Sequence, residues 1–276
     1  MSMNSFHARQ GKPRPVVRPA QASRLAGLAR ADVLLVRQGL AASRTEAQGF
    51  IKAGRVSWAG GVVGKAGHEL PADTALVLAA SEEERYVSRG GLKLAGALRE
   101  SGVAVDGRVC LDVGQSTGGF SDCLLQAGAA RVVGVDVGHG QLHPKLRADA
   151  RVAAFEGVNC RTLSAGDLGD ALPAGGFGLI VADVSFISLT LILPRLPALL
   201  AGDGDMLLLV KPQFEVGPEG VGRGGIVRDA RRHDEVERKL RECAGGLRLR
   251  VRGWFNSRLA GGDGNREFFM WTSHDD

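Results

Sequence analysis

VCLDVGQSTGGF, residues 109–120, passes from an apolar run into a turn holding three glycines. Val109 to Gly114 reads as a strand, and a helix is expected over 120–127. The same alternation continues downstream. RVVGVDV (131–137), RVAAFEG (151–157), FGLIVADVSF (177–186) and MLLLVK (206–211) read as further strands, with helices expected at 188–200 and 229–244. LRLRVRGWF (247–255) and REFFMWT (266–272) close the chain as two more strands. Strands alternating with helices predict an α/β fold, a mainly parallel sheet with helices on both faces. Ligands of such sheets bind at the carboxyl ends of the strands.

The turn itself narrows the ligand. Its spacing is G-x-x-x-G-G, neither the G-x-G-x-x-G of dinucleotide binders nor a phosphate-binding G-K-[ST] loop. Asp136 closes the next strand, 24 residues after Asp112, where a carboxylate can accept both hydroxyls of a ribose. An acidic Asp112 at the mouth of the turn suits a cationic ligand better than a pyrophosphate. S-adenosylmethionine has a ribose, a sulfonium, an ammonium and no phosphate, so it is favoured over NAD. Gly114, Ser116 and Gly118 would shape its pocket, and Asn159, after the third strand, is placed for its adenine. Tight strand-to-helix packing would equally explain the glycines, and turn capping the acids.

LLLVKPQFE (207–215) poses a separate question, because a strand fit for burial ends on Lys211 and is fixed at once by Pro212. The end of such a strand is the ligand edge, so Lys211 should present its amine to the site. Asp183 ends the neighbouring apolar run in the same way, and Glu267 opens the final strand. GPEGVGRGGIVRD (217–229), with five glycines and two arginines, is long enough to close over a substrate or to be a plain surface loop.

A different pattern precedes this domain. Residues 29–40 read as a short amphipathic helix. Ser43 with Glu46 forms a capping-box signature that starts a second helix at Arg44, ended by Gly54. Val56–Trp58 and Val62–Val63 flank a hairpin turn, and 71–79 is expected as one more strand. Arg44, Lys52 and Arg55 fall on one side of the second helix, a candidate phosphate-binding face or a solvated one. The expected division is a basic disordered tail over 1–28, a small α+β domain over 29–80, a linker over 81–87 and the α/β domain over 88–276.

Charge places the basic excess in the tail. The chain of 276 residues has a formal net charge of +5, yet residues 1–31 hold six basic side chains and no acid, leaving about −1 elsewhere. A basic arm favours polyanions such as nucleic acid, and a solvated leader fits the charge as well. The tail lacks a signal-peptide core, and 178–200 is interrupted by Asp183, Pro194, Arg195 and Pro197, which argues against a membrane span. Four cysteines without C-x-x-C spacing point to a reduced, cytoplasmic protein.

Two resemblances sharpen these readings. RADVLLVRQGL followed by SRTEAQGFIKAGRV resembles the RNA-binding domain typified by ribosomal small-subunit protein four over roughly 29–79. This implies RNA contacts from Arg44, Lys52 and Arg55. RGGLKL (89–94), LDVGxSTGGF (111–120), VDVGxGQL (135–142), ADVSFISL (182–189), VKPQFE (210–215) and DGNxEF (263–268) resemble the TlyA-type family of ribosomal RNA 2′-O-methyltransferases, whose older name is haemolysin. The resemblance spans about 29–272 and implies a Rossmann-like, FtsJ-like methyltransferase domain behind the RNA-binding one. It also implies ribosomal RNA or ribosomal subunits as partner, with no metal. It maps a Lys-Asp-Lys-Glu tetrad onto Lys93, Asp183, Lys211 and Glu267. Lys211 would deprotonate or steer the ribose hydroxyl, Asp183 orient it, Lys93 act on Lys211 by like-charge proximity, and Glu267 hold the set. Lys93 comes from the resemblance alone. Gln115 departs from the small residue expected there. A membrane-active haemolysin and a non-catalytic ribosome-assembly binder are the competing functions, and the oligomeric state is left open.

Overall fold

Alternation along three neighbouring strands explains why long stretches of them, such as residues 207–210 and 179–182, are apolar on both faces. In a computed structural model describing residues 27–79, 81 and 84–275, the chain divides into two compact units at Ala80/Ser81. The second unit is built on a seven-stranded sheet: β6 (Val109–Val113), β7 (Arg131–Asp136), β8 (Val152–Glu156), β9 (Phe177–Ala182), β10 (Leu200–Val210), β11 (Leu249–Asn256) and β12 (Phe268–His274), in the order β11-β12-β10-β9-β6-β7-β8. β10, β9, β6, β7 and β8 are parallel, and β12 runs antiparallel to β10 and β11. Leu111, Val113, Ile180, Ala182, Leu208 and Val210 pack into one core, together with Val236, Leu240 and Ala244 of α7 (Ala230–Gly246). Cys110, Leu179, Val181, Leu207 and Leu209 pack into another, with Leu94 and Ala97 of α3 (Gly90–Ser101) and Phe120 and Leu124 of α4 (Gly119–Gln126). Both faces are covered, so these strands are apolar at nearly every buried position, Asp112 of β6 being an exception.

The chain leaves β6 towards β7 and β8, then crosses back to place β9 on the other side of β6. Such a switch point opens a crevice at the carboxyl ends of β6 and β9, where Gly114 and Asp183 sit.

In the first unit, α1 (Ala31–Arg37) and α2 (Arg44–Lys52) pack on a three-stranded sheet of β3 (Gly61–Val62), β2 (Val56–Trp58) and β5 (Val77–Leu78). Leu34, Leu35, Ala47, Ile51, Val56 and Leu70 form its core. Ser43 caps α2 by accepting from Glu46 N at 3.2 Å, and the Glu46 carboxylate returns to Ala42 N at 2.6 Å. Gly54, at φ +70°, ends the helix in a left-handed conformation.

Several expectations are corrected. The tail expected over 1–28 has residues 1–26 outside the described ones, but Leu28 already belongs to β1 (Leu28–Arg30), paired with β4 (Glu69–Pro71). The segment 71–79 is not one strand: β4 ends at Pro71, a turn follows, and β5 joins a different sheet. In the expected linker, Glu82 and Glu83 lie outside the described residues, while Tyr86 is buried among α3 and α4 residues and Val87 N donates to Asp122. The helix expected at 188–200 is replaced by three successive 3₁₀ turns, because Pro194 and Pro197 lack the N–H that an α-helix interior requires. β9 stops at Ala182, four residues early. Among the described residues no helix is long and apolar enough to cross a membrane, and all four cysteines are free thiols.

Candidate active site

Asp183, Lys211 and Glu267 are each the residue just beyond a strand at the same edge of the sheet. β12 is antiparallel, and its pairing of Phe268 with Val210 brings its first residues beside the last of β10. Side-chain direction alternates along a strand, so 183, 211 and 267 share the parity of Val181, Leu209 and Phe269 and lean towards the α3/α4 face. Lys93 projects from α3 on that face. The result is two ion pairs: Lys93 Nζ lies 2.6 Å from Glu267 Oε2, and Lys211 Nζ lies 2.6 Å from Asp183 Oδ1. The first is a directed hydrogen bond. The second is not: Asp183 Oδ1 makes no directed bond despite the close approach, and the directed bond of the Lys211 amine goes to Ser185 Oγ at 2.8 Å. Burial raises the Glu267 carboxyl above its ordinary range, and the bond from Lys93 pulls it back.

Two clefts meet at this cluster. One, of about 250 Å³, lies against the glycine turn and includes Gly114, Gln115, Ser116 and Asp183. The other, of about 500 Å³, includes Phe186, Gln213, Phe214 and Glu267. Lys93, Ser185, Lys211 and Gly262 border both.

The glycine turn is held close to β9. Gly114 has φ +83°, and a Cβ there would lie 2.5 Å from the Asp183 carbonyl oxygen, so this position requires glycine twice over. Asp136 accepts from Ser116 N at 2.8 Å and from Gly138 N at 2.7 Å, which leaves each oxygen one lone pair. Gly118, expected in the pocket, faces the other way, and a Cβ there would meet the Leu146 and Leu142 side chains. Asn159 is exposed, accepts from Arg161 N, and borders neither cleft. Asp112, expected at the mouth of the turn, is fully buried beneath it, because its parity on β6 directs it to α4. Oδ2 accepts from Ser121 Oγ at 2.7 Å, and Oδ1 has no partner. Burial pushes this carboxyl up to about 7, with Asp183 and Asp136 adding to the rise. Gln115 is buried and donates to Ser121 at 2.8 Å, extending the chain to Asp112. Its carboxamide fills the space beside Gly134, where a Cβ would come within 2.0 Å of it.

Residues missed by sequence reasoning are Ser185, Phe186 and Phe214. Phe186 is 89 % exposed, has φ +63°, and its ring lies 5.1 Å from that of Phe214. An exposed, strained aromatic beside a reactive cluster is the kind of outlier found at functional sites. Phe186 lies in the ADVSFISL motif, but the apolar continuation past Asp183 looked like strand.

Residues 86–274 match the family described as FtsJ-like methyltransferase. The chain belongs to that family. Residues 29–74 match the S4 domain. Over 252 residues, 90 % of each chain, the methyltransferase is 44 % identical to the 16S/23S rRNA (cytidine-2′-O)-methyltransferase TlyA of Mycobacterium tuberculosis H37Rv. It is also 42 % identical over 200 residues to Hemolysin A of Brachyspira hyodysenteriae, covering 72 % of this chain and 81 % of that one. A solved structure of a Streptococcus thermophilus protein described as a hemolysin is similar, with a TM-score of 0.67, 41 % identity and coverage of 91 % and 90 %.

In the S4 unit the three expected RNA contacts differ in kind. Lys52 is exposed and forms no ion pair among the described residues. Arg44 donates to the buried Asp32 at 2.9 Å, and the Asp32 carboxyl is held well below its usual range, first by the Arg30 hydrogen bond. Arg55 donates to Ala79 O at 2.9 Å and stacks 4.7 Å over the Phe50 ring. Arg44 and Arg55 therefore also hold the fold.

Proposed function

We propose that this protein transfers a methyl group from S-adenosylmethionine to the 2′-hydroxyl of a cytidine in ribosomal RNA. The observation that carries this reading is the placing of Lys93, Asp183, Lys211 and Glu267 where two clefts meet. The cleft at the glycine turn suits a cationic methyl donor because Asp183 borders it; Asp136 does not line the cleft but keeps lone pairs beside Ser116, which does. When bound there, S-adenosylmethionine supplies an electrophilic methyl on a sulfonium.

The second cleft would receive the nucleotide, with Phe186 and Phe214 as the surface on which its base stacks. Lys211 then faces the ribose hydroxyl from the wall common to both clefts, and Asp183 fixes the amine. Lys93 was expected to act on Lys211 by like-charge proximity. Its charge is instead paired with Glu267, so its part is to hold that carboxylate and the end of β12 in place. The S4 unit would supply affinity for RNA without taking part in the chemistry. The names of the relatives above support cytidine and ribosomal RNA.

The test is incubation of the protein with S-adenosylmethionine and purified ribosomal particles. Release of S-adenosylhomocysteine that requires the particles is expected; no release in their presence would overturn the reading.

A further inference from the structure

The side chains bordering both clefts are Lys93, Ser185 and Lys211, and among them only Ser185 carries an oxygen. In-line attack demands that a lone pair of the ribose oxygen face the methyl group. Its O–H must then turn aside towards an acceptor. Ser185 is exposed, and its Oγ accepts one hydrogen bond, from Lys211 Nζ at 2.8 Å. A hydroxyl has two acceptor lone pairs and one proton, so Oγ keeps one lone pair open. Among the described residues its own proton has no acceptor. The other oxygens of the cluster are placed less well. Asp183 borders only the cofactor cleft, and Glu267 only the second one, where Lys93 engages it. The chain also turns sharply here: Phe186 at φ +63° points its ring into the second cleft while Ser185 stays against Lys211.

From this we infer that Ser185 is a substrate-contacting residue of the methyl transfer, its Oγ accepting the hydrogen bond of the target ribose hydroxyl. The serine aims the hydroxyl, and Lys211 aims the serine. The inference rests on the RNA methylation reading above and deepens it.

A cycle of two changes tests it, with a ribosomal RNA fragment that the wild-type protein methylates. One change is Ser185→Ala; the other removes the 2′-hydroxyl of the methylated nucleotide. The lost hydroxyl should weaken binding to wild-type protein severalfold and leave binding to Ser185→Ala unaffected. With the intact fragment, Ser185→Ala should slow single-turnover transfer by about tenfold or more, the scale of one aligned hydrogen bond. Because Ser185 borders the cofactor cleft as well, both proteins are compared at saturating S-adenosylmethionine, so that a change in donor affinity does not enter the rate. Ser185→Thr, which keeps the hydroxyl, should recover part of the rate. Equal losses of affinity in the two proteins, or transfer by Ser185→Ala at the wild-type rate, would overturn the inference while leaving the methyltransferase reading intact. If wild-type protein methylates no RNA at all, that reading falls and this one with it.

Discussion

At the level of single residues, what the sequence revealed depends on whether a side chain's job is announced by its neighbours. Lys211 stood out because an apolar strand ends on an amine ahead of Pro212, a pattern that ion pairs at strand ends would also give, and the structure does pair it with Asp183. Asp183 was legible on the same ground. Lys93 was not, since it lies on a helix whose pattern resembles any amphipathic helix, and only the family likeness marked it. Asp112 was misplaced because the strand's parity, not its position beside the turn, decides where it points. If Lys211 takes the hydroxyl proton, Lys211→Arg should be slower by a hundredfold or more in single-turnover transfer, because a guanidinium stays protonated. A near-wild-type rate would make Lys211 an electrostatic anchor. Asp112 gives a pH prediction. Its folded value, about 7, lies above the unfolded 3.8, so its stabilising contribution is full below pH 3.8 and is lost as pH rises through 7. The loss amounts to about 4 kcal/mol at most. Thermal denaturation should show Asp112→Asn gaining on wild type between pH 4 and 8. A constant difference would mean that Asp112 stays ionised throughout.

At the level of elements, the buried parallel strands were read better than the short strands of the first unit, where 71–79 is not one strand and Ala29 and Arg30 are strand and not helix. A strand buried on both faces advertises itself as a run such as LLLV, and capping at Ser43 fixed the start of α2 to the residue. The segment 188–200 carries the apolar content of a helix, but its prolines break it into 3₁₀ turns. Those turns are anchored by a residue that was not singled out. Glu215 is buried and accepts from Ser188 Oγ at 2.6 Å, Leu189 N at 2.7 Å and Lys239 Nζ at 3.1 Å. It ties the segment after Asp183 to the turn after Lys211 and to α7. Glu215→Ala strips three donors of a buried acceptor and should destabilise the protein by about 3 kcal/mol. Chemical denaturation checks this, and a loss below 1 kcal/mol would mean the three donors find water instead. The glycine turn makes a similar prediction. Gly114→Ala forces a Cβ against the Asp183 backbone, so affinity for S-adenosylmethionine should fall by at least about tenfold in calorimetry; unchanged affinity would show that the turn relaxes freely.

At the level of the whole molecule, the division into a basic RNA-binding unit and a catalytic one was legible from the change in pattern near residue 81. Its exact limits were not, because Leu28, Tyr86 and Val87 belong to folded units through contacts distant in sequence. If the first unit supplies RNA affinity, Lys52→Ala should weaken ribosomal RNA binding and reduce its salt slope by about one, the share of a single phosphate contact. Affinity for S-adenosylmethionine should not change; an unaltered salt slope would remove Lys52 from the interface. The central claim is that the cluster around Lys211 delivers a methyl group to a ribose oxygen. It is tested most directly by digesting ribosomal RNA to nucleosides after incubation with labelled S-adenosylmethionine, and identifying the labelled product by mass spectrometry. The account predicts label in 2′-O-methylcytidine with wild-type protein, reduced at least about a hundredfold by Lys211→Ala at saturating cofactor. Label on a nucleobase, or 2′-O-methylcytidine formed equally well by Lys211→Ala, would contradict it.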